Sequence, residues 1–225
     1  MQELGMVASP EQTVELVDLF KQHGKRLEFS KNSYIIHPGE VPPGVFYIET
    51  GVVKAYDITR YGEENLLSIR KNHELFPLIW GLTGQERHII YQAMGPVVTW
   101  RISRPQFLAF FEDNPTAYAP LLDMTIEMYR LHSERILNLE YRTVRERLIS
   151  FLLTMSRRFA TTDKTSGAVT MNIPLKHQDI ASSINSSRET TSRELSALER
   201  RGLISSQQSI ITLLDIDALE EILSR

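Results

Sequence analysis

From Gly24 to about residue 103 the chain sustains no helical period. It breaks instead into short apolar runs divided by turn residues: KRLEF, SYIIHPGE, GVFYIETGVVKAYDI, then ENLLSI after Tyr61-Gly62, and later HIIYQA and PVVTWRI. β-Branched and aromatic runs at this spacing predict an antiparallel sandwich or barrel, with Gly39, Gly44, Gly51 and Gly62 at its corners.

Helical signals lie on both sides of this region. Ser9, Pro10 and Gln12 form a capping box ahead of Val14, Leu16, Val17, Leu19 and Phe20, predicting a helix that stops near Gly24. Ser103 caps a second over 105–111, and Asn114-Pro115 precedes a long one reaching about Tyr141. Leu121, Met124, Met128 and Leu131 make one stripe of that long helix, while Leu122, Ile126, Tyr129 and Ile136 make another about 100° away. Two apolar faces call for two partners, and the first stripe is assigned to the same helix of a second subunit. A single broad core face is the alternative. Beyond Thr143 an amphipathic stretch, ERLISFLLTMSRRFA, leads into TTDKTSGA, expected as a loop, and VTMNIP, expected as a strand. Residues 1–113, 114–143 and 144–225 are the expected domains, with a hinge around 138–145.

Composition narrows the chemistry. Without cysteine there is no disulfide, thiolate nucleophile or Cys-ligated metal. The six His are scattered without metal-ligand spacing, so neither metal nor cofactor is expected. No apolar run approaches the ~18 residues of a membrane helix, and the N-terminus lacks a basic-then-apolar leader, so the expected location is cytoplasmic. Net charge is only −3, but residues 144–214 carry ten Lys and Arg against six Asp and Glu, a local surplus of four.

That surplus surrounds LKHQDIASSINSSRETTSRELSALERRGLI, residues 175–204. Ile180, Ala181 and Ile184 fit a short helix. Asn185 suits a tight turn that requires positive φ, and Ser186 or Ser187 caps a second helix. On it Thr191, Leu195 and Leu198 fall within about 60° of one another, facing inward, while Glu189, Ser192, Arg193, Ser196 and Arg200 face out and Arg188 occupies the first turn. This is helix-turn-helix geometry. Arginine donates two bonds to guanine in the major groove, a carboxylate accepts from cytosine, and the remaining polar side chains hold phosphates. An acid facing a polyanion is costly unless it accepts from a base, which favours readout over phosphate contact alone. After Gly202, LISSQQSIITLL predicts a two-stranded wing turning near Gln207 and Gln208.

These motifs resemble the CRP/FNR family of bacterial transcription regulators over nearly the whole chain. SSRETTSRELSALERRGLI looks like the family's recognition helix; Gly39-Glu40, FYIETGVVKAY and YGEENLLSI look like its effector domain; ERILNLEYRTVRERLISFLL is similar to the end of its dimer helix. The resemblance implies an α+β fold: an N-terminal antiparallel, jelly-roll-like β-roll with a long dimerisation helix, followed by a C-terminal winged helix-turn-helix. It implies no enzyme but a homodimer on double-stranded DNA, with RNA polymerase as a protein partner and a palindromic, TGTGA-like operator. Arg188, Glu189 and Arg193 are then the base readers. Lys176, Gln178, Ser187, Thr190, Ser192, Ser196 and Arg200 are the groove and phosphate set. Lys176 departs from the usual Thr or Ser cap, and Asn185 from the usual turn glycine.

Members that bind cyclic AMP resemble one another at a Gly-Glu pair, an Arg-Ser pair and a Thr-Ser pair on the long helix. Here Pro77-Leu78, Arg87-His88 and His132-Ser133 stand in those places. The phosphate-binding arginine remains, but the carboxylate and one backbone donor are lost, so a different effector is expected. Arg87, His88, Tyr91, His132 and Ser133, with Phe76 and Trp80 as apolar wall, would suit a small anion or phenolic acid. A packed, empty pocket is the alternative there. For the whole chain the rival is a cupin-like binding protein or enzyme with a degenerate winged helix, which needs clustered His and Glu on adjacent strands.

Overall fold

The computed structural model describes residues 10–163 and 167–224 and divides the chain into two compact units. The first comprises residues up to Asp57 together with Ser68–Leu131; the second takes Ile58–Leu67 and everything from His132.

The first unit opens with α1 (Pro10–His23); Ser9, its expected cap, lies outside the described residues. The chain continues through β1 (Lys25–Phe29), β2 (Tyr34–Ile36), β3 (Val45–Thr50), β4 (Val53–Ile58), β5 (Glu64–Arg70), β6 (Leu75–Phe76), α2 (Leu78–Thr83), β7 (Ile90–Ala93), β8 (Val97–Ile102) and α3 (Arg104–Asp113). The strands form two sheets, ordered β1-β8-β3-β6 and β2-β7-β4-β5. In the first, Tyr47 of β3 lies opposite Trp100 of β8 and Leu75 of β6.

Why β3 is apolar at consecutive positions follows from its place. Phe46 and Ile48 point between the sheets, packing with Ile36, Phe76, Tyr91 and Val97. Val45 and Tyr47 point the other way, beneath Phe20, Phe107, Phe111 and Leu121 of the helices. A sheet covered on both faces loses the alternation of a half-solvated strand. At the β3–β4 corner Gly51 has φ 96°, and a Cβ there would stand 2.5 Å from the Pro96 carbonyl oxygen, so only glycine fits. β6 and α2 lie outside the expected pattern because two and six residues are too short to show a period.

Ser103 caps α3 as expected, accepting from the Gln106 N–H while the Gln106 side chain returns to the Ser103 backbone. After a 3₁₀ turn at Pro115–Ala117 comes α4 (Tyr118–Tyr141). Here the assignment of the helix faces is corrected. Leu121, expected at a subunit contact, is 3% exposed in the first unit's own core, and Met124 packs against that core. The stripe of Leu122, Ile126, Tyr129 and Ile136 is the one left exposed.

In the second unit, α5 (Val144–Phe159) leads to β9 (Ala160–Thr162), β10 (Val169–Met171), α6 (His177–Ser183), α7 (Arg188–Arg200), β11 (Ile204–Gln207), β12 (Ile210–Leu213) and α8 (Ile216–Ser224). The break between α4 and α5, at Arg142 and Thr143, falls inside the expected hinge. The expected loop at 161–168, of which 164–166 lie outside the described residues, is in part a strand: Thr161 and Thr162, with Ala160 before them, pair with Thr170, Val169 and Met171 respectively, completing a sheet ordered β11-β12-β10-β9. The acidic end of the chain is helical, with Asp215 Oδ1 accepting from the Ala218 N–H at 2.9 Å and Leu219 fully buried.

Candidate nucleic-acid interface

The geometry of α6 and α7 comes from three local devices. Lys176 at the start of α6 makes no side-chain cap bond, as its departure from Thr or Ser foretells. Asn185 adopts φ 50° and makes the turn. Of the two candidate serines, Ser187 is the cap of α7, its Oγ accepting from the Thr190 N–H at 3.1 Å.

With that cap set, the faces of α7 separate. Thr191, Leu195 and Leu198 are at most 2% exposed, and α7 packs against α6 and α5, whose Ile180, Ala181, Leu148, Ile149 and Leu152 are buried, as is Ile184 just after α6. Opposite them Arg188, Glu189, Arg193 and Arg200 are exposed, and Ser192 and Ser196 half-buried. Lys176 and Gln178 are exposed at the start of α6. The side chains of Arg188 and Glu189 make no hydrogen bond or ion pair with another described residue. Arg193 Nη2 donates to Thr190 Oγ1 at 3.1 Å. Free guanidinium and carboxylate groups on one face of an outward helix are the chemistry that reads base edges. β11 and β12 form the expected wing, turning at Gln208 and Ser209, both at positive φ.

Two family models match this chain: the cyclic nucleotide-binding domain over residues 26–114 and the Crp-like helix-turn-helix domain over residues 146–222. The chain belongs to the CRP/FNR family of transcriptional regulators. Among its relatives, a global nitrogen regulator of Nostoc sp. is 29% identical over 82% of this chain and 83% of that protein. A cAMP-activated global transcriptional regulator CRP of Salmonella typhimurium is 27% identical over 92% of this chain and 98% of its own. The structure of FixK2 from Bradyrhizobium japonicum superposes with a TM-score of 0.75 at 23% identity, covering 88% of this chain and 96% of that one. The fold is thus that of CRP/FNR regulators, and no helix among the described residues is long and apolar enough to cross a membrane.

The expected effector residues of this CRP/FNR chain do not all meet. Phe76 and Tyr91 do, between the sheets, with ring centroids 4.7 Å apart. Trp80 does not: it packs with the α1–α3 helical layer, on the other side of the first sheet from Phe76, because α2 carries it there. Arg87 and His88 are exposed, and His132 and Ser133 belong to the second unit. Burial raises the Tyr91 phenol above its ordinary range, against the opposing charges of Arg70 and Arg87. Arg70 is the residue that pattern reading misses. It ends the otherwise apolar run LLSI, its side chain is 13% exposed, and its Nε is buried without a hydrogen-bond partner. A charge closing an apolar strand was the available signal.

The pattern also misses a node around α6. Arg135 Nη2 donates to Asn65 Oδ1 at 3.2 Å and to the Ser182 carbonyl at 3.5 Å, while Ser182 Oγ accepts from the Leu66 N–H at 3.3 Å. The tip of the β4–β5 hairpin is thereby held against the first helix of the DNA-binding motif.

Proposed function

We propose that the chain is a homodimeric regulator that reads a palindromic operator with TGTGA-like half-sites through Arg188, Glu189 and Arg193. The observation that carries this reading is the exposed, unpartnered Arg188–Glu189 pair in the first turn of a helix whose opposite face is fully buried. Lys176, Gln178, Ser187, Thr190, Ser192, Ser196 and Arg200 surround it as phosphate and groove contacts, which set register without reading sequence.

Dimerisation is supported by the exposed apolar side chains Leu122, Ile126 and Tyr129, one helical turn apart on α4, with Ile136 further along the same stripe. Two copies joined along α4 present two recognition helices to successive major grooves, about 34 Å apart. RNA polymerase is the protein partner this reading implies, and the cytoplasm its location.

The effector of the same reading is a small anion other than cyclic AMP. Pro77 has no N–H to give a phosphate, and Leu78 has no carboxylate for a ribose. Arg70, Arg87 and the phenol of Tyr91 supply positive charge and a hydroxyl instead. Binding shifts the population between two dimer arrangements, and the second half of α4 transmits the change.

Titrating the protein with a TGTGA-centred palindrome and with scrambled duplex, at two salt concentrations, tests the proposal. A preference for the palindrome that survives at higher salt is expected. Equal affinity for both duplexes would refute it.

A further inference from the structure

The start of α7 holds a relay of hydroxyls that ends on a base-reading arginine. Ser187 Oγ accepts from the Thr190 N–H and donates to Thr190 Oγ1, both at 3.1 Å. Thr190 Oγ1 also accepts from Arg193 Nη2 at 3.1 Å. That oxygen therefore receives two hydrogens and keeps its own to give.

Residues three apart on a helix are neighbours, and long side chains lean toward the N-terminal end. The bond to Thr190 draws the Arg193 guanidinium toward the end of α7 that enters the groove in helix-turn-helix proteins. An arginine on its flexible stem otherwise samples many rotamers, and binding would have to freeze one of them. Arg188 and Glu189 have no comparable tether among the described residues.

We infer that Thr190 is a positioning residue, whose hydroxyl fixes Arg193 before DNA arrives and so sets the discrimination at the base pair Arg193 reads. The inference rests on the reading of Arg193 as a base reader, and it goes beyond a phosphate contact. A phosphate contact by Thr190 would strengthen binding to every sequence alike, whereas a tether on Arg193 acts on one base pair.

The test starts from a randomised duplex pool, from which the wild-type chain selects its preferred site; Arg193→Ala then identifies the dependent base pair. Dissociation constants are measured on the selected duplex and on one substituted at that pair. Thr190→Ser keeps the hydroxyl and should leave the ratio unchanged. Thr190→Val keeps the shape and should lower the ratio between about two- and tenfold, the range of one exposed hydrogen bond. In the Arg193→Ala background Thr190→Val should leave the ratio where it is, any lost phosphate contact weakening both duplexes alike. Thr190→Ala, a stronger helix former without the hydroxyl, should reproduce the valine result even if the valine chain folds poorly. An unmoved ratio, or equal weakening on both duplexes, overturns the role of Thr190 while leaving Arg193 a reader. Selection of no preferred sequence overturns both.

Discussion

Arg145 Nε lies 2.7 Å from Glu194 Oε2, joining the first turn of α5 to the middle of α7. The pair fixes the recognition helix at a point away from its buried face. With side chains 48% and 23% exposed, it is screened by solvent. A double-mutant cycle with Arg145→Ala and Glu194→Ala should return a coupling below about 1 kcal/mol, shrinking as NaCl is raised. On DNA the expectation differs. Glu194→Gln removes a negative charge from the helix that faces a polyanion, so affinity should rise by a similar factor on specific and scrambled duplexes. Filter binding on both duplexes checks this, and a gain confined to the specific one would contradict it.

The two faces of α4 should answer mutation in opposite ways. Leu121→Ala empties a site in the first unit's core and should cost about 2–5 kcal/mol of stability. Ile126→Glu, on the exposed stripe, should leave the folded unit as stable as before. It should lower the sedimenting mass toward that of one chain and cut operator affinity, because two linked half-sites become one. Equilibrium sedimentation and thermal unfolding of both variants separate the outcomes.

What the sequence made legible was local. The cap at Ser103, the αL turn at Asn185, the inward set Thr191, Leu195 and Leu198, and the two-stranded wing are each determined by residues within a few positions of one another, and the structure has them as expected. Which stripe of α4 meets the core was not legible. Both stripes are apolar, and the choice depends on Phe20, Phe107 and Phe111, which are distant in sequence. Trp80 was misplaced for the same reason: α2 is too short to declare a face. Arg70 and the Arg135 node escaped because their partners, Glu74 apart, come from separate segments. Arg188, Glu189 and Arg193 stood out because the same helical period that turns Thr191, Leu195 and Leu198 inward leaves them exposed.

At the start of α5, Glu146 should give stability a local pH dependence. Its carboxylate accepts from Thr143 Oγ at 2.6 Å and from the Thr143 N–H at 2.7 Å. These bonds, the hydroxyl first and the backbone second, hold the Glu146 carboxyl below its ordinary range, with help from the charge of Arg142. Because the folded pKa is depressed, the stabilisation is fully present above the unfolded carboxyl's titration and is lost as pH falls through the folded value. Glu146→Gln keeps an acceptor but not the charge. It should cost up to about 1 kcal/mol at neutral pH, a small figure because the site is exposed. Thermal unfolding of both proteins down to pH 3 should show the difference closing.

Within the β-roll, Arg70 and Glu74 are 13% and 14% exposed and stand 3.7 Å apart. Burying two charges at that separation costs more desolvation than a loose contact returns, so the pair is a poor device for stability alone. Arg70→Met removes the cation and leaves the Glu74 carboxylate buried without it, which should cost about 2–4 kcal/mol. Replacing Glu74 by Leu in the same chain should restore stability to within about 1 kcal/mol of the parent, or exceed it. Both tryptophans, Trp80 and Trp100, lie in the first unit, so their fluorescence in a denaturant titration reports on that unit. An anionic effector bound by Arg70 would account for a buried pair that costs stability. The parent should then gain thermal stability from screened small organic acids that leave the double variant unmoved. A double variant less stable than Arg70→Met would show instead that the pair earns its place structurally.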